Sequence, residues 1–137
     1  MQLSARDVMT NPVATVWPSM SVGDLARLLS EKRISGVPVV DHTGALVGIV
    51  SQADILSRRR GEETVRAIMT TDVVAVGEGE TVQEIACLLS MKRINRVPVL
   101  RDGRVVGIVS RTDIVRAMAG LSPAAAAGQN EGCDPLA

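Results

Sequence analysis

Phe and Tyr are absent from this 137-residue chain, and Trp17 is its only aromatic residue. A core must therefore be assembled from Val, Ile, Leu, Met and Ala. A bound heterocycle would have to lie between aliphatic side chains rather than in an aromatic stack. Cysteine is almost as scarce. Cys87 falls in a helical pattern and Cys133 in the C-terminal stretch, which offers no disulfide framework. His42 is the only histidine and sits in an expected turn, so a His/Cys cluster for a transition metal is not available. Charge of one sign is missing too: 15 basic and 15 acidic residues leave a formal charge of zero. A broad electrostatic nucleic-acid binder would need a basic surplus. No apolar run is long enough to span a bilayer, and the start, MQLSARDVMT, has no apolar h-region. The expectation is a cytoplasmic protein away from membranes.

What is present is a repeat. Met9-Thr10 returns as Met69-Thr70, Lys32-Arg33-Ile34 as Lys92-Arg93-Ile94, and Val37-Pro38-Val39 as Val97-Pro98-Val99. One residue is then lost in a turn, and Val47-Gly48-Ile49-Val50-Ser51 returns as Val106-Gly107-Ile108-Val109-Ser110. With two copies, a closed pseudo-symmetric pair fits better than a solenoid. Each copy reads β-α-β-β-α. Val13–Val16 and Val73–Val76 predict short first strands. Ser21-x-x-Asp24 and Thr81-x-x-Glu84 predict capping boxes that open helices. Val22, Leu25, Leu28 and Leu29, like Val82, Ile85, Leu88 and Leu89, carry helical spacing. Val37–Val40 then pairs with Leu46–Val50, and Val97–Leu100 with Arg104–Val109 across the strong hairpin signal Asp102-Gly103. The runs LVGIV and VVGIV suggest strands covered on both faces, and a second helix starts at Ser51 or Ser110.

A unit of about 50 residues leaves much apolar surface uncovered. The fold class expected is therefore α/β of the α+β type: two repeats, residues 1–60 and 61–119, packed sheet to sheet as one body. Ser57–Val65 serves as connector. Residues 120–137, with SPAAAAGQNEG, are expected to be a mostly disordered tail.

In order and spacing, the early Met-Thr, the Val-Pro-Val strand and Gly-Ile-Val-Ser-x-x-Asp, all written twice, resemble a tandem pair of CBS domains. The resemblance covers roughly Asp7 to Met118. It implies a pseudo-twofold pair with two clefts that bind AMP, ADP, ATP or S-adenosylmethionine as regulatory ligands, with no obligatory cofactor. It also implies dimerisation and a regulated protein partner.

A ribose presents two vicinal hydroxyls, and a carboxylate accepts from both better than a neutral side chain does. In the family the Asp of Ser-x-x-Asp takes that role, which here falls on Asp54 and Asp113. The resemblance groups Asp113 and Ser110 with Thr10, Ser35, Gly36 and Val37, and Thr112 adds a hydroxyl beside Asp113. It groups Asp54 and Ser51 with Thr70, Asn95, Arg96 and Val97, while Ile108 and Ile49 would cover the base. Arg96 stands where relatives can place a basic residue against phosphate, and a guanidinium fork suits phosphate oxygens. Gly36 in the first copy makes the two sites unequal, and the Asp113 cleft is expected to be the better one.

Ser-x-x-Asp is equally a helix cap worth about 1 kcal/mol, and the two roles can coexist. Arg58-Arg59-Arg60 reads as a solvated connector offset by Glu62-Glu63. Trp17 reads as a partly exposed packing residue, and Cys87 as a small buried hydrophobe. Gly48 and Gly107 within strands suggest close backbone approach, by a ligand or by the neighbouring half. No catalytic constellation or phosphate-binding Gly-rich loop appears. The expected function is a stand-alone ligand sensor rather than an enzyme. The competing reading is a structural dimer that binds a protein partner and no nucleotide.

Overall fold

Apolar spacing and capping residues build the same sequence of elements twice in the computed structural model, which describes residues 2–11 and 13–120. The expected disordered tail lies, from residue 121 onward, outside the described residues. The order is α1 (Ala5–Val8), α2 (Val22–Lys32), β1 (Gly36–Val40), β2 (Leu46–Ser51), α3 (Gln52–Leu56), α4 (Val65–Ile68), β3 (Val76–Gly77), α5 (Val82–Lys92), β4 (Arg96–Arg101), β5 (Arg104–Ser110) and α6 (Arg111–Met118). The mixed α/β architecture is the one expected.

Helices α2 and α5 start where a hydroxyl relieves an unpaired amide. Ser21 Oγ accepts from Asp24 N at 3.0 Å, and Thr81 Oγ1 from Glu84 N at 3.1 Å. Neither makes the full reciprocal box that was expected. Asp24 instead accepts from Arg27 at 2.8 Å, because an i,i+3 cation on the helix face competes for the carboxylate. Leu25 and Leu29, and equivalently Ile85 and Leu89, turn one stripe of each helix into the core.

The two hairpins are antiparallel: β1 pairs with β2, and β4 with β5. Asp102 (φ 53°) and Gly103 (φ 79°) make the tight turn of the second, as the sequence signals. The expected first strands are shorter than their apolar runs. Val16 makes a single parallel bridge to Val39, and β3 is two residues pairing in parallel with β4. Both lie at a sheet edge, where one neighbour only is available to hold the ladder. Nor are β2 and β5 covered equally on both faces, since Val50 and Val109 are buried while Ile49 and Ile108 are half-buried. Cys87 is exposed, not buried, because α5 turns Ile85 and Leu89 inward and leaves Cys87 beside Met91 on the outer face.

The cores do not respect the repeat boundary. Val16, Leu25, Leu29, Val37, Val39 and Val50 pack with Val65, Ile68 and Met69, from the end of the connector onward. Ala5, Val8 and Met9, from the N-terminal stretch, pack instead with Ile85, Leu89, Val97, Val99, Val109 and Ile114. Each repeat thus sends its leading segment into the other repeat's core. The exchange is fixed by main-chain bonds. Thr10 N donates to Ile108 O at 2.9 Å and Ile108 N to Thr10 O at 3.2 Å. Thr70 N and Ile49 N make the matching pair, both at 2.9 Å.

Gly48 and Gly107 admit these segments. A Cβ on Gly48 would stand 2.8 Å from Met69 Sδ and 2.9 Å from Thr70 O, and one on Gly107 would press on Met9. The close approach foreseen at both glycines is made by the exchanged arm. Because a backbone carbonyl cannot yield as a thioether can, Gly48→Ala is expected to destabilise by about 1–3 kcal/mol, the scale of core overpacking. Gly77→Ala, with nothing within 4 Å, should stay within about 0.5 kcal/mol of wild type. Urea unfolding of both variants checks this.

Candidate functional site

Strands β2 and β5 each run into a helix at the Ser of Ser-x-x-Asp. Ser51 and Ser110 keep extended backbones (φ −137° and −110°) while the next residue is already helical. In that geometry the Asp three residues on faces back toward the serine. Asp113 Oδ2 accepts from Ser110 N at 2.9 Å and Ser110 Oγ at 3.2 Å, and Ser110 Oγ accepts from Asp113 N at 3.2 Å. Asp54 Oδ2 accepts from Ser51 N at 2.8 Å and Ser51 Oγ at 3.1 Å. The cap reading of both motifs is thus realised, and it uses one carboxylate oxygen of each Asp.

The exchanged arms complete the two constellations. Thr10, held against Ile108, places its Oγ1 3.3 Å from Asp113 Oδ1 and 3.5 Å from Oδ2. A hydroxyl thus already donates to this carboxylate as a sugar hydroxyl would. Thr70 is likewise held against Ile49 at the other motif, but it is exposed. The two sites also differ in depth: Asp113 is 4% exposed, whereas Asp54 is half-buried. Burial raises the Asp113 carboxyl above the ordinary carboxylate range, opposed by the Ser110 and Thr10 bonds and by the Arg116 charge. Thr112 is half-buried beside it, and Ile108 and Ile49 offer half-buried aliphatic surface at the two motifs.

The residues before the Val-Pro-Val strands fall differently from the expected grouping. Gly36 pairs with Ser51, and Gln52 N donates to Ser35 O at 2.9 Å, so Ser35 and Gly36 lie at the Asp54 motif. Arg96 pairs with Ser110, and Arg111 N donates to Asn95 O at 3.0 Å, so Asn95 and Arg96 lie at the Asp113 motif. The cause is the hairpin, which brings the start of each first strand to the end of its own second strand. Val37 and Val97 turn their side chains into the cores and offer only backbone to a cleft.

What does cross between the halves is the guanidinium. Arg96 Nη2 donates to Ser35 Oγ at 2.5 Å, and Nη1 lies 2.8 Å from where a Cβ on Gly36 would stand. The absent side chain at Gly36 is the space Arg96 uses. Sequence reasoning assigned no role to Met9 and Met69. Their signal was present in the repeated Met-Thr, whose Met fills the notch over a glycine while its Thr reaches the site. Among the described residues, no helix is long and apolar enough to cross a membrane.

A family profile described as CBS domain matches residues 5–61 and 65–120. The chain is 36% identical over 117 residues to L-aspartate semialdehyde sulfurtransferase of Methanocaldococcus jannaschii, covering 84% of this chain but 23% of that enzyme. Among solved structures, it is similar to the CBS domain pair of protein MJ0100 in complex with 5′-methylthioadenosine and S-adenosyl-L-methionine (TM-score 0.81, 34% identity, 88% of this chain and 98% of that one). It is also similar to CBSX2 in complex with AMP (TM-score 0.81, 33% identity, 86% and 97%).

A buried carboxyl raised above its unfolded value favours the folded state when protonated, and that contribution is lost as pH rises through the folded pKa. The stability of wild type relative to Asp113→Asn is therefore expected to fall as pH rises from about 4 and then to level off. Asp113→Ala leaves the Ser110 donors without their acceptor and should cost about 1–3 kcal/mol. Denaturant unfolding between pH 4 and 8 measures both, and a flat difference curve would refute the burial argument.

Proposed function

Because the chain belongs to the CBS domain family, we propose that it is a regulatory module binding adenosine-containing ligands, AMP, ADP, ATP or S-adenosylmethionine, in two clefts between its halves. The observation that carries this reading is the Asp113 carboxylate. It is buried, held in place through Oδ2 by Ser110, and approached at Oδ1 by the Thr10 hydroxyl. A vicinal diol supplies two such donors at once, and the fixed cap means that little ordering cost falls on binding. Ile108 supplies aliphatic cover for a base that has no aromatic partner here. The relatives solved with AMP and with S-adenosylmethionine support the same ligand class.

Asp54 with Ser51, Thr70 and Ile49 forms the second, more open cleft, next to Ser35, Gly36 and the Arg96 guanidinium. Both clefts contain a residue contributed by the other repeat. A ligand in either one therefore bears on how the halves sit together, and it shifts that arrangement by its differential affinity for the states. The role is regulatory and non-catalytic, exerted on a protein partner inside the cytoplasm. The units of duplication are residues 1–60 and 61–119.

A second reading, assembly without nucleotide, draws on the exposed apolar side chains of the outer helices, among them Leu56, Met91, Val115 and Met118. Exposed apolar side chains of this kind suit a homodimer contact, and assembly through them is compatible with ligand binding in the clefts.

Thermal unfolding with AMP, ADP, ATP and S-adenosylmethionine separates the two. At a hundred times its dissociation constant, a bound ligand stabilises by about 2.7 kcal/mol, and Asp113→Asn is expected to abolish most of that shift. A transition that no member of the panel moves would leave assembly as the function.

A further inference from the structure

Gly36 and Arg96 are repeat equivalents, sixty positions apart, as are Ser35 and Asn95. Arg96 nevertheless touches its own counterpart, with its guanidinium over Gly36 and bonded to Ser35. A side chain that contacts its own equivalent in a pseudo-twofold pair lies close to the axis relating the halves. There is room there for one such group. A Cβ at position 36 would already press on Nη1 at 2.8 Å, and a second guanidinium would add like-charge repulsion.

Arg96 also stands between the two sites. Its backbone pairs with Ser110, which caps the helix carrying Asp113. Its guanidinium reaches Ser35 and Gly36, whose neighbours Gln52 and Ser51 open the helix carrying Asp54. Two further basic groups near the Asp113 motif belong to α6. Arg111 Nε donates to Ile94 O at 3.3 Å, and Arg116 lies one turn further along. At the Asp54 motif the position of Arg111 is taken by the neutral Gln52.

We infer that Arg96 is a single cation shared by the two clefts, so that phosphate-bearing ligands bind them anticooperatively while phosphate-free adenosyl ligands do not. A phosphate in the Asp54 cleft holds the guanidinium where it now rests on Ser35. A phosphate in the Asp113 cleft draws it back toward its own strand. Whichever binds first removes a charge-assisted bond from the other, and the penalty is equal in both directions. The Ser35 hydroxyl is one of the groups that hold the guanidinium at rest. This inference rests on the adenosyl-ligand reading above and adds to it a coupling between sites.

Calorimetric titration of the full chain with AMP and with adenosine tests it. For AMP the second affinity is expected to be at least roughly tenfold below the first, the scale of one charge-assisted bond. For adenosine, where only the unequal depth of the two carboxylates separates the sites, the gap should be clearly smaller than for AMP. Arg96→Met, similar in length but neutral, should shrink the AMP gap to the size of the adenosine gap. Arg96→Lys, which keeps the charge without the fork, guards against a folding defect in the first variant and should retain part of the AMP gap. Equal AMP affinities in wild type, an AMP gap that survives Arg96→Met, or an adenosine gap as large as that for AMP would each overturn the shared cation. Binding of neither ligand would overturn the adenosyl reading itself, and this inference with it.

Discussion

Four main-chain hydrogen bonds, two between Thr10 and Ile108 and two between Thr70 and Ile49, are the constraint from which the rest of the molecule follows. They stitch the leading segment of each repeat to the second hairpin strand of the other. Once stitched, Met9 and Met69 must lie over Gly107 and Gly48, and no side chain larger than hydrogen fits beneath them. Val8 and Val65 are then delivered to cores made largely by the other repeat. The hydroxyl of Thr10 arrives at Asp113 by the same route. Packing, register and site geometry are one event here, since a slip of one residue in that pairing would turn Thr10 away from the carboxylate.

Much of this was legible in the sequence because it rests on local rules. Helical spacing located α2 and α5, Asp102-Gly103 located a hairpin turn, and Ser51 and Ser110 located two helix starts. The Ser-x-x-Asp motif was read as both cap and acceptor, and the carboxylate side of the cap is seen at both copies. The misreadings have two origins. The exposure of Cys87 and the partners of Ser35 and Asn95 follow from the α5 stripe and from the hairpins, local patterns that the sequence carries. Strand length at a sheet edge depends instead on what lies across a tertiary interface, and no residue-level periodicity encodes that. The exchange of arms was hidden for the same reason. A repeat identifies which residues are equivalent, but it does not say whether a segment packs on its own copy or on the other.

The two clefts illustrate how a duplicated motif comes to differ. Both carboxylates are pinned by the serine that precedes them, so the acceptor is preserved. What has changed surrounds it: a buried Asp113 against a half-buried Asp54, a half-buried Thr10 against an exposed Thr70, and Arg96 against Gly36. Desolvation makes the deeper carboxylate costlier to charge and more responsive to a donor that arrives dry. The shallower one remains in partial contact with water. Equivalence of position has thus been kept while equivalence of environment has not.

The crossing of the arms also constrains how such a chain can have come about. A polypeptide holding a single copy would keep an incomplete hydrophobic interior for want of its own N-terminal stretch, and could finish it only by trading that stretch with a twin. On this view the ancestor was a swapped pair of identical molecules. Fusion of the two genes would have joined, in one continuous backbone, a handshake that already existed between strangers.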